Sequence, residues 1–329
     1  MEKILVTGAT GFLGHHVVRR LNEQAIRPHV LELLGSNPDR LAQLDVELCE
    51  GHLEDPQALA AACTGIDTLL HLAFKVSVGG GAETLDEMRR INLGASQRLL
   101  RSAEAMGVRT AVVASSCLAV GVNRRPEPLD EDADWSTHAI DIPYARMRRQ
   151  AEQQALAMAK PGFSVVAICP AFTLGPHDPV GAPANKLLRA LISGKLPLTV
   201  PAAFGCLDVR DFASGILLAA ERGRSGQRYL LSGENVTMAE FAEQAAAVAD
   251  VQAPRFQAPK ALVEAAVIVV GLASRLRSKE PPITREVLQI MGRYAWYETT
   301  RARSELGWAP RPLGQTLEDT TRWLRDQGQ

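Results

Sequence analysis

At 329 residues, 46% of them hydrophobic and 22% charged, the chain has the composition of a soluble globular protein with material for a large core. A net charge of −1 gives no electrostatic pull toward nucleic acid or an acidic membrane surface. The five cysteines (Cys49, Cys63, Cys117, Cys169, Cys206) are odd in number, widely spaced and free of any CxxC pair. That pattern argues against a disulfide framework or zinc site, and for a reducing, cytoplasmic setting with the thiols as small buried residues.

The chain begins "MEKILVTGATG" without a basic stretch and apolar leader, so the first segment reads as a strand and secretion is not expected. Strands are predicted at 3–8, 29–33, 46–51, 68–73, 109–116 and 164–170, with helical patterns such as "GHHVVRRLNEQ" and "NLGASQRLLRSAEAMG" between them. This alternation predicts an α/β fold with a doubly wound parallel sheet and helices on both faces. Residues 1–170 form the expected dinucleotide-binding core, and 171–329 an interleaved, smaller and mostly helical substrate lobe. "LDVRDFASGILLAAERG" reads as a strand and helix that return to the main sheet, within a segment near 205–235. The most apolar window, 261–273, is shorter than the ~20 residues of a membrane span and carries Glu264, so no span is predicted.

"VTGATGFLGHHVV" sets Gly8, Gly11 and Gly14 directly after the first strand and at the mouth of a helix. Glycines allow the tight turn and let the backbone approach a diphosphate, which meets the unpaired N–H groups of the helix start. The strand–turn–helix context turns a weak glycine pattern into a dinucleotide signal. Glu32, 18 residues beyond Gly14, is placed to accept the adenosine ribose hydroxyls and would repel a 2′-phosphate. NAD is therefore expected, with NADP as the alternative should Arg40 or another basic residue receive the phosphate.

Ser115 and Ser116 end the fifth strand, where a parallel sheet lines its ligand crevice. Tyr144 opens the next helix, and Arg148 follows one turn later on the same face. A serine hydroxyl and a phenol can converge on one substrate oxygen, the serine holding it and the phenol exchanging a proton with it. A free phenol ionises near ~10, so a fixed cation beside it is needed to favour phenolate, and that work falls to Arg148.

At this point the chain resembles the extended short-chain dehydrogenases/reductases, also called the NAD-dependent epimerase/dehydratase group. "TGATGFLG", "HLAF", "INLGASQRLL", "SSCLAVG", "YARMR", "CPAFTLGP" and "LDVRDFASG" occur in the order seen in that group, and the likeness spans essentially the whole chain. Within the group it is most similar to the dihydroflavonol-reductase-like, 3β-hydroxysteroid-dehydrogenase-like and hopanoid-associated sugar epimerase-like branch. The resemblance implies a catalytic trio of Ser116, Tyr144 and Arg148, the arginine standing where the family has lysine. It implies cofactor contacts from Gly8, Thr10, Gly11, Phe12, Leu13 and Gly14 in the first turn, with Glu32. Further along the crevice it implies His52 and Leu53 beside the adenine, then Leu72, Ala73 and Pro170, with Tyr144 and Arg148 at the nicotinamide. The family lysine also bonds the nicotinamide ribose. Arginine keeps the charge, but its planar fork of donors has fixed directions and it does not release a proton. Only seven of the 36 basic residues are lysines, so a general bias toward arginine accounts for the exchange as well as new chemistry does.

Substrate contacts are sought in Lys75, Ser116, His138, Phe172 and His177, with a solvated loop lysine as the plainer reading of Lys75. Asn92 matches a family asparagine with a structural and water-relay role; His71 reads as a packed core histidine. Asp211 is read as a helix N-cap and "LDEDAD" (129–134) as a solvated loop, and no His/Asp/Glu spacing suits a metal. The expected activity is hydride transfer between NAD(H) and a secondary alcohol or ketone of a hydrophobic small molecule. Two alternatives stand beside it. One is a nucleotide-sugar epimerase or dehydratase with tightly held NAD, against which stands the absence of an evident phosphate-gripping Arg/Lys cluster with aromatics in the C-terminal lobe, although Lys186, Arg189 and Arg228 keep it open; the other is a non-catalytic NAD-binding scaffold or sensor. The resemblance also implies a homodimer through the helices near 90–105 and 144–160.

Overall fold

A computed structural model describes residues 3–32, 37–51, 55–75, 82–263 and 285–327. The first strands are β1 (Ile4–Thr7), β2 (His29–Glu32), β3 (Glu47–Glu50), β4 (Thr68–His71), β5 (Thr110–Ala114) and β6 (Ser164–Pro170). With β9 (Arg228–Leu231) they form a seven-stranded sheet in the order β3-β2-β1-β4-β5-β6-β9. Every pairing in it is parallel. A parallel sheet is covered on both faces, so its strands are apolar on consecutive residues. The pleat then sorts those residues by parity: Ile4, Val6, Val112, Val166 and Ile168 enter one core, and Leu5, Ala111, Val113, Val165 and Ala167 the other.

Helix α1 (Phe12–Glu23) covers the first face beside α8 (Val209–Arg222). On the opposite face lie α2 (Pro56–Cys63), α4 (Ser96–Ala105) and α6 (Pro143–Leu156). Helix α3 (Ala82–Arg89) runs into α4 through a wider π-type stretch, Arg90–Ala95. The short α5 (Trp135–His138) lies in the long connection between β5 and α6. Strand order reverses between β1 and β4, which opens the crevice for a ligand at their carboxyl ends.

The second half holds a small sheet that the sequence reading did not anticipate. Its centre is β8 (Ala203–Asp208), flanked by β7 (Phe172–Leu174), β10 (Asn235–Thr237) and β11 (Tyr294–Ala295). Helices α7 (Pro183–Ile192), α9 (Met238–Ala249) and α11 (Leu313–Asp326) pack together over it, and α10 (Arg285–Ile290) precedes β11. The strand ahead of α8 therefore does not rejoin the main sheet as expected. The return is made by α8 on the sheet face and by β9 at the sheet edge.

Two local readings are also corrected. Asp208, not Asp211, caps α8, its carboxylate accepting from Arg210 N at 2.8 Å; Asp211 instead accepts from Arg311 N at 2.8 Å. Burial at Asp211 raises its carboxyl above the usual range. The "LDEDAD" stretch is not uniformly solvated: Glu131 is buried, accepts from Leu230 N at 3.0 Å and faces Arg301. Burial likewise raises its carboxyl. Of the five thiols, four are buried and Cys49 is half-buried; all are free. Among the described residues, no helix is long and apolar enough to cross a membrane, and no His/Cys/Asp/Glu cluster suits a metal. Most of the window 261–273 lies outside the described residues.

Candidate active site

The first turn is built by close approach. Gly8 has φ of 75°, and a Cβ there would sit 2.7 Å from Ala73 N. A Cβ on Gly14 would overlap the carbonyl oxygen of Gly8. Only glycine lets β1, the turn and α1 pack this tightly, and α1 then starts with Gly11 at its cap and no side chain on its free N–H groups. Phe12 and Leu13 contribute the first two of those amides. The turn is thus open to an anion, and no acidic residue in the first helical turn opposes one.

Glu32, at the carboxyl end of β2, reaches back to this turn. Its Oε1 accepts from Thr10 N at 3.2 Å and its Oε2 from the Thr10 hydroxyl at 3.0 Å. Arg40 comes to the same place, Nη1 lying 3.4 Å from Thr10 O. The residues match what an adenosine diphosphate needs: free helix amides for the diphosphate and a carboxylate at the ribose position. His52 and Leu53, the expected adenine neighbours, lie outside the described residues.

Strand β4 carries the crevice toward its other end. Leu72 N donates to Thr7 O at 3.1 Å and Ala73 N to the Thr7 hydroxyl at 3.3 Å. That hydroxyl also meets His71 Nδ1 at 2.7 Å, while His71 Nε2 meets Ser96 Oγ at 2.8 Å. Burial, helped by the charge of Arg148, lowers His71 from 6.5 to about 4, so the ring is neutral at neutral pH. It ties β1 to α4, as a packed core histidine would. Asn92, buried in the π-type stretch, clamps the backbone of Lys75 in both directions: Oδ1 accepts from Lys75 N at 2.7 Å and Nδ2 donates to Lys75 O at 2.8 Å. The Lys75 ammonium turns away to Glu87 at 2.6 Å.

Ser116 follows β5 and caps the short turn Cys117–Ala119, its Oγ accepting from Leu118 N at 3.2 Å. Pro143 opens α6 with its φ already set for the helix, which places Tyr144 in the first turn and Arg148 one turn on. Arg148 Nε donates to Tyr144 Oη at 3.1 Å, and Nη1 donates to Ala114 O, at the end of β5, at 2.7 Å. The guanidinium carbon lies 3.4 Å from the centroid of the Phe74 ring. Arg148 is 7% exposed and makes no ion pair among the described residues. The nearby Glu152, four residues on, is committed to Arg228 at 3.1 Å. A buried charge without a carboxylate is costly unless polar groups and an aromatic face surround it, as here. Behind it lies a cavity of about 30 Å³, lined by His71, Asn92, Ser96, Ser115 and Arg148, with room for roughly one water molecule.

Other expected residues go elsewhere. Pro170 ends β6 beside Leu231 of β9. Phe172 opens β7 with its ring 4.8 Å from that of Phe204. His138 closes α5, and its carbonyl accepts from Val122 N at 2.9 Å. His177 packs near His16 and Trp323, and none of its interactions is with Ser116, Tyr144 or Arg148. Reasoning from sequence missed Phe74, although it stands in plain view as the aromatic after "HLA", and it missed the carbonyl of Ala114.

The family model for the NAD dependent epimerase/dehydratase family matches residues 4–232. The chain is 27% identical over 328 residues to sterol demethylase protein B of Methylococcus capsulatus, covering 98% of each. It is 29% identical over 257 residues to a 3 beta-hydroxysteroid dehydrogenase/Delta 5-->4-isomerase of Mycobacterium tuberculosis, covering 74% of this chain and 68% of that one. The crystal structure of gox2253 superposes with a TM-score of 0.85 at 30% identity, over 100% of this chain and 99% of that one. The glycine turn and the seven-stranded parallel sheet agree with the match: the chain belongs to the NAD-dependent epimerase/dehydratase family and is an NAD-dependent enzyme related to the short-chain dehydrogenases/reductases.

Proposed function

We propose that the enzyme transfers a hydride between NAD(H) and a secondary alcohol or ketone of a hydrophobic small molecule, with Tyr144 as acid/base and Arg148 in the role of the family lysine. The observation that carries this reading is the Nε–H of a buried, carboxylate-free guanidinium donating to the phenol oxygen at 3.1 Å. A buried charge with no counterion among the described residues favours negative charge on the oxygen it touches.

Gly8, Gly11 and Gly14, with the amides at the start of α1, would hold the diphosphate of NAD, and Thr10 and Glu32 the adenosine ribose. When bound, NAD supplies or accepts the hydride. Ser116 holds the substrate oxygen, and Tyr144 gives it a proton in reduction or takes one in oxidation. Arg148 stabilises the phenol oxygen after its proton leaves. The guanidinium spends Nε on the phenol and Nη1 on Ala114, and Nη2 makes no hydrogen bond among the described residues. That third nitrogen is available to a nicotinamide ribose hydroxyl, the second task of the family lysine. Arginine cannot pass the proton onward, so the proton leaves Tyr144 by another path.

The lean toward a hydrophobic substrate draws support from the Phe74 ring, which stands edge to face with Tyr144 at 5.8 Å between centroids. Two relatives are named for sterol or steroid chemistry. A diphosphate-bearing sugar is less well served, because Arg228, one of the three cations that kept that alternative open, is committed to Glu152. The homodimer through α4 and α6 rests on the resemblance alone, and light scattering on the purified protein tests it.

Titration of the purified protein with NADH and NADPH, followed by nicotinamide fluorescence, comes first, then a screen of ketones with NADH. NADH-selective binding and turnover of an apolar ketone are expected. No binding of either dinucleotide, or binding without turnover of any ketone or alcohol, would sink the reading.

A further inference from the structure

Resting on that reading of Tyr144 and Arg148, we infer that Phe74 is a positioning residue of the active site, whose ring face fixes the guanidinium plane so that Nε meets the phenol. The need arises from the arginine itself. An ammonium is a compact donor that can turn toward any acceptor, whereas a guanidinium donates only in its own plane and along fixed directions. Two hydrogen bonds, to Tyr144 Oη and Ala114 O, mark directions within that plane. They leave the plane free to rock about the line joining them.

Phe74 supplies the missing constraint. Its ring centroid lies 3.4 Å from Arg148 Cζ, while the Tyr144 centroid is 5.4 Å away. The guanidinium therefore stacks on Phe74 and meets Tyr144 through its hydroxyl. The two rings themselves stand edge to face, with centroids 5.8 Å apart at 84°, so the three groups form a closed triangle. Each side of the triangle holds the other two.

The ring is, in turn, held by its backbone. Ala73 N is tied to the Thr7 hydroxyl at 3.3 Å, and Lys75 is clamped at both N and O by Asn92. Phe74 thus sits between two pinned neighbours at the end of β4, and its face cannot drift with the loop. A cation on an aromatic face is held most strongly where water is excluded, and Arg148 is buried. The stack also accounts for a buried guanidinium that no carboxylate among the described residues neutralises.

The consequence is specific. Removing the ring should loosen the Nε–phenol contact in the arginine enzyme and matter little where lysine replaces arginine. The test is a double-mutant cycle of Phe74→Leu with Arg148→Lys, read first on the protein without cofactor. The phenolate absorbance of Tyr144 is isolated by subtracting the Tyr144→Phe protein at each pH. Phe74→Leu is expected to raise the midpoint of that titration by about one pH unit in the arginine protein, and by less than about 0.3 unit in the lysine protein. Phe74→Trp is expected to restore the wild-type midpoint.

The same shift appears as a roughly tenfold fall in kcat with a change in KM under about twofold. Thermal melting checks that each protein folds, and Phe74→Met takes the place of leucine if it does not. Equal shifts in both backgrounds, or none in either, overturn the inference and reduce Phe74 to packing. Expected titrations without turnover of any ketone would instead overturn the functional reading and leave the positioning role intact.

Discussion

The two ends of the crevice are made in different ways. At the end proposed for the adenosine half, the turn after β1 and the tip of β2 do everything with short-range means: glycines, free helix amides, and one carboxylate on Thr10. At the end proposed for the nicotinamide, the segment after β4, strand β5, the stretch before α4, and α6 each contribute a group, so the site is drawn from four separate parts of the chain. The first end depends on backbone shape, which tolerates no added atom. The second depends on side chains that support one another, and under the proposed reading these neighbours hold Arg148 where the family has lysine. A site of the second kind can depart from its family's pattern and still hold its geometry.

The largest effect should come from the second end. Tyr144→Phe removes the proton donor and should lower kcat by roughly 10²–10⁴-fold while NADH binding changes little. Steady-state rates with fluorescence titration measure both, and unchanged turnover would break the comparison at its strongest point.

Next comes the histidine that joins the two ends through Thr7. His71 is lowered from 6.5 to about 4 by burial and the Arg148 charge. The unfolded chain takes up a proton below 6.5 and the folded chain does not, so stability is full above 6.5 and is lost as pH falls toward 4. The loss over that window is on the order of 3 kcal/mol. His16, buried against Pro176 O, is lowered to about 4 as well and adds to the same slope. Denaturant melts of wild type and His71→Gln at a series of pH values would show the slope and its reduction in the variant. Identical slopes would remove His71 from the account.

Smaller still is the effect expected at the first end. Glu32→Ala takes away the carboxylate on Thr10 and should weaken NADH binding by roughly tenfold, and NADPH binding by less. Competitive titration of the two dinucleotides gives the ratio. If NADPH binding weakened as much as NADH binding, Glu32 would be a structural brace for the turn and not a selector.

The same contrast explains what could be read in the sequence. All six strands of the first half, the glycine turn and Glu32 were legible, because periodicity and short spacing encode them directly. The Tyr144–Arg148 contact was legible too, since four residues along a helix is one turn. The second sheet was not: β8 and β10 pair across a helix and a strand of the main sheet, and their short runs carry no pattern that distinguishes one sheet from another. Asp211 was misread because Asp208, three residues earlier, is an equally good cap and the backbone begins its helix there. Glu131 sits among acidic neighbours, and the partners that take it inside, Leu230 N and Arg301, are 99 and 170 residues on. Phe74 needed the fold to bring it over Arg148; nothing in "HLAF" marks its ring as facing a cation.

The central claim is that Arg148 does the work of the missing lysine, and replacing it by methionine tests that most directly. Arg148→Met keeps the apolar length under Phe74 and removes both donors and charge. The account predicts a folded protein that binds NADH several-fold more weakly and turns over an apolar ketone about 100-fold more slowly, with Arg148→Lys recovering part of the loss. Wild-type rates in the methionine protein, or turnover that appears only in the lysine protein, would contradict it.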